Sequence, residues 1–171
     1  MLRVMVRPND REFRRTLRNI RRVRSPGKRR QIVRPGVNAA ASALNKDMKR
    51  RAKTIGTAKF ISRKRGLVEI TGKELSRSIG VRRKTYARNN WVIAVVGPRF
   101  TYRMPNGFQP SAVAVFIEGL KPNDGLETPP TPFARRSAAL MKRRMIRIFR
   151  QRTEEAAKKT VAKLRAGGSR V

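Results

Sequence analysis

The sequence predicts an α+β fold: a small antiparallel β-sheet packed by two N-terminal helices and a long C-terminal helix, with basic arms. Three observations predict it. Apolar residues recur at helical spacing near both ends, short runs rich in β-branched residues fill the middle, and charge is spread unevenly. The 171 residues carry 44 Lys+Arg against 10 Asp+Glu, a formal net charge of +34. Residues 1–65 hold 22 basic and 3 acidic side chains, residues 66–132 hold 9 and 5, and residues 133–171 hold 13 and 2. Two basic flanks thus surround a near-neutral middle, which is expected to be the packed core. Hydrophobic residues make up 39% of the chain, enough for a modest core and too many for full disorder. The length suits one domain. The expected organisation is a basic N-terminal helix and loop over 1–35, an α+β core over 36–150 and a basic helix end and tail over 151–171.

The elements follow in order. Phe13, Leu17, Ile20 and Val23 (or Arg24) step by three or four, which marks one face of a first helix with Asp10 as its N-cap. "SPGKRRQIVRPG" then has two Pro–Gly steps and is expected to be a loop. Val37, Ala40, Ala41, Leu44, Met48 and Ala52 predict a second helix with a small-residue segment over 38–43. "FISRKRG" is a bridge, "LVEI" a short strand, and "TGKELSRSI" a Thr–Gly turn with one turn of helix. "IGVRRKTYA" and "NNWVIAVVGP" predict a hairpin, the second strand buried; "SAVAVFIEG" predicts a third strand. "LKPNDGLETPPTP" is loop by composition. Ala134, Ala138, Met141, Met145, Ile148 and Phe149 trace the stripe of a last helix. Glu154/Lys158 and Glu155/Lys159 are expected to pair along it, and Gly167–Gly168 to end it.

Chemistry is expected to be sparse. The chain has no Cys and no His, so the commonest general base and the usual zinc ligands are missing. Glu69, Glu74 and Glu118 form no recognisable catalytic or Mg²⁺-binding pair and are expected to make structural ion pairs. The expectation is a non-enzyme without cofactor or metal, and a metal nuclease is disfavoured. "WVIAVV" and "AVAVFI" fall far short of the ~20 apolar residues of a membrane span. "MLRVMVRPND" lacks the apolar segment of a secretory signal. Trp91, Tyr86, Tyr102 and Phe100 have faces on which bases stack. Trp91 opens the expected buried strand, however, so core packing is the favoured role.

Charge is the strong signal. Self-repulsion at +34 works against a compact chain unless a polyanion neutralises it. Arginine, which outnumbers lysine, suits bidentate phosphate contacts. The candidate nucleic-acid contacts are Arg21, Arg22, Arg24, Lys28, Arg29 and Arg30, then Lys49, Arg50, Arg51 and Lys53, then Arg63, Lys64 and Arg65.

Five segments add a resemblance. "VNAAASALNKDMKRRAK", "TGKELSRSI", "WVIAVVGP", "VFIEG" and "PPTPFARRSAAL" occur in that order between residues 37 and 145. The series resembles the tail-completion (head–tail joining, minor tail component) family of long-tailed bacteriophages, that of lambda's Z tail-completion protein. The chain departs from the family pattern by one extra residue between Thr71–Gly72 and Leu75, by "IEGL", which lacks the aromatic residue between glutamate and glycine and the following threonine, and by an inserted "RMPNGFQPSA". The resemblance implies a non-enzymatic protein of the virion neck, assembled in the host bacterial cytoplasm. It implies a homo-hexameric ring at the top of the tail, touching the tail terminator, head-completion or connector proteins, and the end of the double-stranded DNA. Leu75, Ile79, Glu118, Pro132, Phe133, Arg135 and Arg136 are the corresponding protein-interface candidates. The prolines of "ETPPTPFARRSAAL" act in this reading as a spacer, and Phe133 as the pin that docks the last helix. A ribosomal or nucleoid-type basic nucleic-acid-binding protein is the alternative that charge alone allows.

Overall fold

A computed structural model describes residues 25–62, 66–86, 91–99, 101–103, 107, 109, 114, 117–118 and 131–166. The expected first helix, with Asp10, Arg21, Arg22 and Arg24, lies outside the described residues, as do Phe100, Arg63, Lys64 and Arg65. The architecture is α+β: helix α1 (Pro26–Lys53), strands β1 (Thr57–Ser62) and β2 (Gly66–Thr71), helix α2 (Gly72–Ser78), strands β3 (Ile79–Tyr86) and β4 (Trp91–Pro98), and helix α3 (Phe133–Ala166). The strands form two separate antiparallel pairs, β1–β2 and β3–β4, where the sequence suggested one sheet. Thr57 faces Thr71 at the open end of the first ladder, and Ile79 faces Pro98 at that of the second.

Helix α1 corrects the expected loop over 25–36. Ser25 caps it, its side chain accepting from the Lys28 N–H at 3.5 Å, and Pro26 occupies the first turn. Proline is favoured there because its missing N–H would have no helical partner. Pro35 lies inside the helix, where it deletes a backbone hydrogen bond at a cost of about 3 kcal/mol. The following residue shows what offsets that cost. Gly36 is buried against α3, and a Cβ there would overlap the Thr153 hydroxyl and lie 2.7 Å from the Phe149 carbonyl oxygen. The Pro–Gly step is thus a point of close approach of two long helices, rather than a turn.

The pairing of α1 with α3 is the most extensive in the fold. Ile32, Ala41, Leu44, Met48 and Ala52 of α1 are buried, as are Phe133, Ala134, Met141 and Met145 of α3. One cluster joins most of these to Ala58, Val68, Ile70, Leu75 and Ile79. Gly72 lets α2 start against the end of α1, since a Cβ there would overlap the Ala52 carbonyl; its N–H donates to the Gly56 carbonyl at 2.7 Å. Thr71 and Glu74 form a reciprocal capping box that starts α2.

Three further expectations are corrected. The first three residues of the expected bridge "FISRKRG" end strand β1 (Thr57–Ser62). The expected third strand over "SAVAVFIEG" is helical where it is described, at Ala114 and Ile117, and the Glu118 N–H donates to the Ala114 carbonyl at 3.0 Å. Alternation between alanine and larger apolar residues is weak evidence for a strand, because alanine also favours helix. Finally, β4 is half-buried and Trp91 is exposed, because a two-stranded ribbon on α1 covers only one of its faces.

Gly36→Ala is expected to lower unfolding free energy by about 2–3 kcal/mol through overpacking at this crossing. Urea denaturation of the purified variant checks it.

Candidate nucleic-acid interface

Helix α1 places two of the three basic clusters named from the sequence. Lys28, Arg29 and Arg30 occupy its first turns and are half-buried, and the first turn holds no acidic residue. Cations at a helix N-terminus oppose its dipole, whereas an anion is favoured there. Lys49, Arg50, Arg51 and Lys53 occupy the last turns, where the dipole favours cations. Two of them are committed. Asp47, buried on α1, accepts from Arg50 and, at 2.7 Å, from Arg51 Nε. Burial pushes the Asp47 carboxyl up, but the Arg51 and Arg50 guanidiniums together with the Ser137 hydroxyl outweigh it, and the group is held below its usual range. The Ser137 hydroxyl lies close enough to contribute without reaching full hydrogen-bond geometry. Lys53 is exposed and Lys49 half-buried.

The protein-interface candidates divide sharply. Leu75, Ile79 and Phe133 are inside the core cluster of this chain, and Glu118 is 2% exposed. Pro132 is half-buried, while Arg135 and Arg136 lie at the surface. Glu118 is the centre of a joint. Its Oε1 accepts the Ala134 N–H at 2.5 Å and its Oε2 accepts the Arg135 N–H at 3.3 Å. The Arg135 guanidinium donates to the Glu118 carbonyl oxygen and lies 3.6 Å from Oε2. Pro132 precedes α3 and has no side-chain acceptor, so Glu118 performs the capping from a distant segment. The Thr131 N–H donates to the Ile117 carbonyl at 2.7 Å and ties the same two segments again. Burial pushes the Glu118 carboxyl above its usual range in spite of these donors and Arg135. Three other acids among the described residues form ion pairs: Glu69 with Lys59 at 3.5 Å, Glu154 with Arg150 at 3.0 Å, and Glu155 with Arg152 at 2.9 Å. The last two use arginines on the N-terminal side, and the expected Lys159 adds a weaker electrostatic attraction to Glu155.

The structure adds cations beyond the three clusters. Arg82, Arg83 and Lys84 are all exposed on β3, and Arg83 donates to Ser42 Oγ at 3.2 Å. Lys142, Arg143, Arg144 and Arg147 are exposed on α3. A groove of about 670 Å³ runs beside Lys142, Arg143, Ile146, Arg147, Arg150 and Gln151, with Glu154 its one acidic lining residue among those described. The signal for both was present, as the runs "RRK" and "KRR" inside otherwise periodic segments. Among the described residues no group of His, Cys, Asp and Glu is placed to hold a metal ion, and no helix is long and apolar enough to cross a membrane. No family model, curated protein or solved structure matches the chain.

Glu118→Ala strands two backbone N–H groups at the start of α3 and is expected to cost about 2–3 kcal/mol. Glu118→Gln keeps one acceptor and should fall between it and the wild type in urea denaturation. Asp47 has a folded-state pKa below its ordinary 3.8, so its stabilisation is present above that value and is lost as pH falls through the lower one. Asp47→Asn should therefore lower Tm at pH 7 and flatten the acid limb of a Tm–pH curve below about pH 4.

Proposed function

We propose that this chain is a tail-completion protein of a long-tailed bacteriophage, a non-enzymatic ring subunit of the virion neck that holds the DNA end by charge. The observation that carries the reading is the Glu118 joint. Of the five ordered segments behind the resemblance, "VFIEG" and "PPTPFARRSAAL" meet there, with the glutamate of one capping the helix that opens at the Phe133 of the other. "TGKELSRSI" likewise supplies a complete capping box and two buried core residues, Leu75 and Ile79. These three segments thus each have a physical task.

Charge supports the DNA contact. Exposed cations lie on α1, β3 and α3, and acidic residues are too few to balance most of them in a chain of +34. A ring would set many copies of these faces around one duplex, so that modest contacts add through effective concentration. It would also draw the repelling chains together around a common counter-charge.

Two measurements test the reading. The protein should be found in purified virions, and particles made without it should accumulate as separate full heads and tails; a normal yield of joined particles overturns the proposal. Recovery with ribosomes or bulk nucleoid would favour the basic nucleic-acid-binding alternative. Affinity for duplex DNA should fall linearly in log–log against salt, by about 0.9 per phosphate neutralised. Replacing Lys142, Arg143 and Arg147 with alanine should flatten that slope by about 0.9 for each phosphate no longer neutralised.

A further inference from the structure

Trp91, the chain's one tryptophan, is 60% exposed, and Tyr86 is 43% exposed. The ladder register sets them directly opposite one another at the end of the β3–β4 ribbon. Directly paired residues share a face and side chains alternate along each strand. One face therefore presents Arg82, Lys84 and Tyr86 beside Val95, Ile93 and Trp91. The opposite face carries Arg83, which reaches Ser42 of α1, and Val96, which packs on the core. The aromatic face is thus the one turned away from the body of the protein. Lys84 Nζ lies 5.8 Å from the centre of the Tyr86 ring, so cation and aromatic face already adjoin.

We propose that this face is a stacking platform for single-stranded nucleic acid, with Trp91 and Tyr86 receiving bases and Arg82 and Lys84 receiving the flanking phosphates. An acidic protein segment would satisfy the two cations but would leave two large rings with nothing planar to meet. A second copy would set like charges face to face. An unpaired strand offers both the phosphates and the exposed bases, whereas the bases of a duplex are already stacked on each other. The inference rests on the polyanion reading above and adds to it a site for unpaired bases, such as those of a frayed or overhanging end.

Trp91 is its own reporter. An oligothymidylate of about 20 nucleotides should quench its emission, while an abasic strand of the same length should bind by charge and leave the emission unchanged. At about 0.2 M salt, Trp91→Ala should weaken oligothymidylate binding roughly 5- to 100-fold and leave duplex affinity unaltered, and Trp91→Phe should restore most of that affinity. Equal quenching by the abasic strand or by polyglutamate overturns the platform. So does a change in emission that follows protein concentration alone, which would place a second copy on this face. Duplex binding without any base-dependent response overturns the platform and leaves the charge reading standing. Failure to bind either nucleic acid at low salt overturns both.

Discussion

The close approach of α1 and α3 at Gly36 governs the rest of the structure. Two helices carrying cations on their outer faces repel, so they must be held by short-range packing. The absence of a side chain at Gly36 brings backbone within contact of Thr153 and Phe149, and dispersion forces act only at such distances. Once the crossing is set, Leu44, Met48 and Ala52 meet Met141, Met145 and Phe133, and the first hairpin closes the cluster. Pro35 is tolerated because the helix is held from outside at the next residue.

The second constraint is the start of α3. A helix of 34 residues with no acidic residue in its first turn, and with Arg135 and Arg136 there, begins against its own dipole. Glu118 supplies the missing negative charge and both acceptors. Its burial makes the arrangement sensitive to pH in the opposite sense to Asp47. A group whose folded-state pKa is raised contributes stability below its unfolded value and loses it as pH rises through the folded one. Arg135, which partners the carboxylate, is therefore occupied within the chain, while its neighbour Arg136 remains at the surface.

Much of this was legible in the sequence. The α+β class, the apolar stripe from Ala41 to Ala52, the β3–β4 hairpin, the Thr71 step and the docking of Phe133 all rest on local patterns that tertiary packing reinforces. The failures have two causes. Pro35–Gly36 has the composition of a turn, and only the facing Thr153 makes it a helix crossing. Alternating alanines around Ala114 mimic a strand, and only the backbone bond from Glu118 shows the helix. Trp91 carries the signature of a core residue, yet the ribbon is too narrow to bury both of its faces. Facing elements decided the first and last of these and leave no trace in a local window, whereas around Ala114 a local i,i+4 bond decided it and the helix propensity of alanine was underweighted. The basic clusters were legible as charge, but the commitment of Arg50 and Arg51 to Asp47 was not, although the i,i+3 and i,i+4 spacing allowed it.

The two ladders have a consequence of a different kind. Each has only two strands, so among the described residues every strand keeps one edge without a partner. Open edges recruit further strands and seed aggregates. Strand β3 answers with three successive cations, Arg82, Arg83 and Lys84, which keep like chains apart. That safeguard is electrostatic and is therefore conditional. Polyanions or concentrated salt weaken it by screening. Counter-ions thus set the colloidal behaviour of this protein. A preparation stripped of nucleic acid and kept dilute in salt retains the repulsion that keeps its strand edges apart.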